Sequence, residues 1–141
     1  GEERYARQIA RQIILQRKKQ PIETTLEMVG GIEKAVPRKY LYSKLHFATR
    51  TFQALRIETN GELEWLEQAL PDAVAALGNH GRLAVITFHS LEDRIVKQYM
   101  RRQARQKTVR LINKKPIKPS QKETDKNPKS RSAKLRVCEK I

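Results

Sequence analysis

Apolar residues in the first nineteen positions recur at the spacing of a helix face: Tyr5, Ile9 and Ile13, with Ala6, Ala10 and Ile14 beside them. Arg4, Arg7, Arg11 and Lys18 fall on the other faces, and Pro21 ends the run. Thr24 is placed to cap a second helix bearing Leu26, Val29 and Ile32, which the Gly30-Gly31 pair weakens. Arg38 to Lys44 reads as an ordered connector. Ala48, Phe52 and Leu55 share a face of a third helix, Ala48 to Glu58. Asn60 then caps a fourth, Gly61 to Leu77, with Leu63, Leu66, Leu70, Val74 and Leu77 at helical spacing and a kink expected at Pro71. Phe52 and Trp65 read as core.

After the turn Gly78 to Gly81 the pattern changes. "RLAVITF" is almost continuously apolar, the mark of a strand buried on both faces. Ser90 caps the helix that follows, through Arg102, and Asp93 completes an approximate capping box. Two short strands, "TVRLI" at 108–112 and "AKLRV" at 133–137, are expected to pair antiparallel at the edge of the sheet. Between them, Lys114 to Lys129 is polar enough to be mobile without a partner. Helix, buried strand, short loop and helix form the unit of a doubly wound α/β sheet. Such sheets take ligands beyond the carboxyl ends of their strands, where His89 and Ser90 fall.

Charge changes the picture. The formal net charge is +15, and it is not spread evenly. Residues 1–93 hold 13 Lys/Arg against 12 Asp/Glu, while residues 94–141 hold 17 against 3. An excess of +14 in the last third points to a polyanion, because each neutralised phosphate releases counterions. The lone cysteine, Cys138, excludes an internal disulfide and suits a reducing, cytoplasmic compartment. His46, His80 and His89 are scattered, so no metal site is expected. No run is long enough to span a membrane, and the opening residues do not form a signal peptide. A helix beginning at the first residue reads as a chain cut from something longer, and a truncated sheet exposes an edge prone to self-association.

Three stretches carry a resemblance: "HFATRTFQALRIETNGELEWLEQAL", "GRLAVITFHSLEDRIVK" and "KKPIKPS…NPKSRSAKLRV". Together they resemble the bacterial 16S ribosomal RNA cytosine-N4 methyltransferase family, which uses S-adenosylmethionine, and the likeness covers essentially the whole chain. Phe47 and Asn79-His80 depart from the family's pattern, both in turns. The family's glycine-rich donor-binding loop has no counterpart, since Gly30-Gly31 follows no strand. The resemblance therefore implies the C-terminal half only. It implies an α/β fold with part of a Rossmann-like methyltransferase sheet, in which 1–59 form a helical insertion and 60–141 the end of the sheet with a basic tail.

The reaction so implied is N4-methylation of a cytidine in small-subunit ribosomal RNA, with no cofactor-binding residue in this chain and no activity expected of it alone. His89, Ser90, Glu92 and Asp93 would face the flipped base or its sugar, together with Arg50, Thr51 and Arg56 from the insertion. Each also has a structural reading. Ser90 and Asp93 suit a helix start, Arg56 an ion pair with Glu58, and Arg94 a partner for Glu92 or Asp93. Asn127, Lys129, Ser130, Arg131, Ser132 and Lys134 suit phosphate contacts. Tyr40 and Tyr42 are candidates for base stacking. The alternative function is a non-catalytic basic RNA-binding module.

Overall fold

A computed structural model describes residues 2–141, so Gly1 lies outside the described residues. The chain divides into two compact units, one ending at Asn60 and one beginning at Gly61.

The first unit is helical: α1 (Ala6–Arg17), α2 (Thr25–Ala35), the short α3 (Arg38–Leu41) and α4 (Thr49–Asn60). Its core gathers Ile9, Ile32, Val36 and Ala48, with Phe52 packed against them. Thr24 caps α2 as expected: its Oγ1 accepts from the Glu27 amide at 3.2 Å, and Glu27 Oε2 accepts from the Thr24 amide at 3.1 Å. Backbone hydrogen bonds from Glu23 and Thr24 hold the Glu27 carboxyl below its ordinary pKa. The glycine pair does not break α2. Gly31 is buried, and a Cβ there would meet only the tip of the flexible Gln16 side chain. Part of the expected connector is helical. Tyr40, in α3, donates to Glu3 Oε2 at 2.7 Å and stands edge-on to Tyr5, whereas Tyr42 is exposed.

The second unit is α/β: α5 (Glu62–Ala75), β1 (Arg82–Thr87), α6 (Ser90–Arg105), β2 (Val109–Leu111), α7 (Gln121–Lys126), a 3₁₀ turn (Pro128–Ser132) and β3 (Lys134–Lys140). The helix start near residue 60 differs from expectation. Asn60 closes α4, and the break falls at Gly61, whose φ of 60° is left-handed and favours glycine. α5 runs through Pro71. Trp65 is 67 % exposed and lies outside the core.

The three strands form one sheet in the order β1-β3-β2, with β3 antiparallel to both neighbours. The pairing of the two short strands is as expected, but β3 is the centre of the sheet and not its edge. β1 was expected to be buried on both faces; instead it alternates. Leu83 and Val85 pack into a cluster with Val96, Met100, Val109 and Cys138, while Ile86 on the other face is 58 % exposed. The cause is that α6 covers only one face of the strand, and an apolar run does not say how many faces are covered.

Residues 114–129 are held in place. Ile117 bridges to Leu135, Ser120 caps α7, and Asn113 donates to the carbonyls of Lys115 and Leu135 while accepting from the Val137 amide. At the far end of the sheet, Glu139 lies between Arg82 (2.9 Å) and Arg110 (2.6 Å), with one arginine from each flanking strand. Their hydrogen bonds, Arg82 first, outweigh desolvation and hold the Glu139 carboxyl below its ordinary value. Among the described residues no helix is long and apolar enough to cross a membrane.

Candidate substrate wall and nucleic-acid interface

β1 ends at Thr87, and two residues later the chain turns into α6. His89 has extended backbone angles, φ −141° and ψ 169°, and is the residue that caps α6. Its Nδ1 accepts from the Glu92 amide at 3.3 Å. In return Glu92 Oε2 accepts from the Phe88 amide at 2.8 Å and from the His89 amide at 3.3 Å. The capping box is therefore His89 with Glu92, which corrects the expected pairing of Ser90 with Asp93. Ser90 already belongs to the first turn of the helix, and Asp93 points to the sheet.

Asp93 is buried and grips β3. Its Oδ1 lies 2.7 Å from Arg136 Nε, and its Oδ2 lies 3.2 Å from Arg136 Nη2 and 3.3 Å from Lys134 Nζ. Burial alone would raise this carboxyl, but the hydrogen bonds and charge of Arg136, then of Lys134, hold it below the usual aspartate range. A fork-to-fork pair of this kind fixes direction as well as distance. It locks the start of α6 to β3.

With Nδ1 accepting an amide hydrogen, a neutral His89 carries its own hydrogen on Nε2. That nitrogen lies 3.2 Å from Glu92 Oε1 but is not aligned with it, and it remains buried without a hydrogen-bond acceptor. Glu62, His89 and Glu92 offer atoms within 4.8 Å of one another. His89 could join a cation through either ring nitrogen only by giving up the Nδ1 hydrogen bond that caps α6.

The register places the basic segment beside this junction. Lys134, the first residue of β3, pairs with Thr87, the last of β1. The 3₁₀ turn that leads into β3 therefore lies at the carboxyl end of β1, as does His89. Ser130 anchors that turn: it is buried, and its hydroxyl donates to the Asn127 carbonyl at 2.8 Å. Around it Asn127, Lys129, Arg131 and Ser132 are exposed. Arg131 donates to the Pro128 carbonyl at 3.1 Å, and Lys134 is engaged with Asp93.

Of the candidates in the helical unit, Arg56 is exposed and Thr51 is buried with its Oγ1 unpartnered. Arg50 acts on the Tyr40 hydroxyl. Burial, then the hydrogen bond and charge of Glu3, raise the tyrosine's pKa, and Arg50 opposes them. Sequence reasoning missed Arg136. The signal available was an arginine facing inward on a half-buried strand, which requires an acid opposite.

A methyltransferase family model, described as the MraW methylase family, matches residues 1–141, and the chain belongs to that family. It is 52% identical to the ribosomal RNA small subunit methyltransferase H of Synechococcus elongatus, covering all of this chain and 46% of the relative. The enzyme of the same name from Thermosipho melanesiensis is 53% identical, again over all of this chain and 46% of its own length. That of Clostridium botulinum (strain Loch Maree) is 48% identical over 50% of its length. The chain thus spans about half the length of the curated relatives it matches.

Proposed function

We propose that this chain is the part of a small-subunit ribosomal RNA methyltransferase that holds the RNA and walls the target base, and that the reaction is N4-methylation of a cytidine. The observation that carries this reading is the meeting of two distant motifs, His89 to Arg94 and Asn127 to Lys134, at one end of one sheet. In this reading residues 1–59 serve RNA recognition, and residues 60–141 form the end of the methyltransferase sheet. Because β1 and β2 both run antiparallel to β3, they are parallel to each other, joined by α6 with one strand between them. That arrangement suits the last strands of a Rossmann-like sheet continuing from the free edge of β1.

The methyl donor would be S-adenosylmethionine, but the residues present do not fit it. Among the described residues no strand is followed by a glycine-rich loop. At the β1–α6 junction the Glu92 carboxylate already occupies the amides of Phe88 and His89. Donor binding belongs to the remainder of the relatives' length, and the chain alone is inactive.

The chain's own contribution is positioning. The exocyclic amino lone pair of cytosine is delocalised into the ring, so hydrogen bonds to its N–H groups must hold it turned out toward an electrophile. His89, Ser90 and Glu92 line the base in this reading. Asp93 acts behind them by fixing α6 to β3. Small-subunit RNA incubated with labelled donor tests the proposal. Methylation is expected when this chain is joined to a donor-binding part of a relative, and no label with the chain alone. Digestion followed by mass spectrometry should then give N4-methylcytidine; a methyl group on carbon 5 or on the ribose would refute it.

A further inference from the structure

We infer that Lys97, Arg101 and Lys114 form a phosphate-binding depression for the RNA backbone, separate from the turn at residues 127–132; this rests on the RNA reading above. Lys97 and Arg101 lie one helical turn apart on α6, and Lys114 follows β2. The three line a single shallow depression with Met100, Leu111, Asn113 and Arg136. Among the described residues that line it there is no carboxylate.

Five cations of this unit are already committed. Arg82 and Arg110 hold Glu139, Lys134 and Arg136 hold Asp93, and Lys140 donates to the carbonyls of Ala75 and Leu77. Among the described residues Lys97, Arg101 and Lys114 have no such partner. Lys118, Lys122 and Lys126 likewise make no ion pair among the described residues, but they do not line the depression. Three like charges around one hollow repel one another until an anion enters. The backbone of the loop that carries Lys114 is fixed by the hydrogen bonds of Asn113.

A nucleic-acid backbone suits this geometry better than a lipid surface. Binding to a membrane uses an amphipathic helix's apolar face, and that face of α6 is spent in the core through Val96, Tyr99 and Met100. A strand of phosphates, in contrast, can be met by charges repeating about every 5.4 Å along a helix.

The test is fluorescence anisotropy with a labelled single-stranded RNA of about twenty nucleotides, titrated across a range of potassium chloride concentrations. Each phosphate contact on a single strand contributes about 0.7 to the slope of log K against log salt. Removing all three charges in Lys97→Gln/Arg101→Gln/Lys114→Gln should lower that slope by about 2 and weaken binding about a hundredfold at 0.1 M salt. The double variant Arg101→Gln/Lys114→Gln alters only exposed positions and should lose about 1.4 of slope. An equal-charge control, Lys118→Gln/Lys122→Gln/Lys126→Gln, should lose no more than about 0.7.

The inference is overturned if the first triple variant binds like the parent chain, or if the control triple loses as much. It is also overturned if the triple loses binding to phosphatidylserine vesicles while keeping its RNA affinity. A parent chain with no RNA affinity at all would instead sink the functional reading beneath it.

Discussion

Asp93→Ala is expected to destabilise the second unit by about 3–5 kcal/mol, because it strands the Arg136 guanidinium in a buried site without its counter-charge. Arg136 and Asp93 are both buried, and α6 and β3 meet there across 43 residues of sequence. In urea the unfolding midpoint should fall with the slope unchanged. Asp125→Ala, an exposed acid on α7, should stay within about 0.5 kcal/mol of the parent. Replacing both members, Asp93→Leu with Arg136→Met, should recover most of the loss, since a buried pair is worth little more than an apolar substitute. A loss below about 1 kcal/mol for Asp93→Ala would contradict the pairing.

The same pair fixes a pH dependence. The folded Asp93 carboxyl titrates below its unfolded value of about 3.9. The ion pair's contribution is therefore fully present above that value and is lost as pH falls through the lower folded one. Asp93→Asn should flatten this part of the acid limb.

His89→Ala is expected to lower methyl transfer by about a hundredfold in the assembled enzyme, the scale on which loss of positioning acts. The substitution also removes a helix cap, at about 0.5–2 kcal/mol, so activity alone does not separate the two effects. Asn is a good capping residue, and His89→Asn should restore the start of α6 and its melting temperature while leaving methylation low. Full activity in His89→Asn would reduce the histidine to a cap. A drop in kcat at constant RNA affinity is the signature expected of a group that orients the base.

Much of the fold was legible because periodicity is local. The stripes of α1, α2, α4 and α5 and the place of each strand follow from spacing alone. What the sequence hid was what lies opposite each element. "RLAVITF" reads the same whether one face or two are covered, so the open face at Ile86 could not be foreseen. Trp65 falls at a helical position but faces outward, because a bulky apolar residue does not by itself name its neighbour.

The site was half legible. The motifs pointed to the carboxyl end of β1, yet the roles within "HSLEDR" were exchanged. Histidine is an uncommon cap, and the extended backbone that makes His89 one is invisible in sequence. Asp93 looked like a first-turn acid because its partner Arg136 lies in a different strand, and only the register of β3 brings the two together.

A cytosine amino group is expected to meet the β1–α6 junction while the cationic segments hold the strand. Nitrogen-15 spectra of the chain, titrated with two short RNAs identical except for cytidine or uridine at one unpaired position, test this directly. The expected result is movement of the Phe88 to Asp93 amides with the cytidine RNA alone, and movement of the Asn127 to Lys134 amides with both. Unmoved junction amides, or equal shifts with uridine, would contradict it.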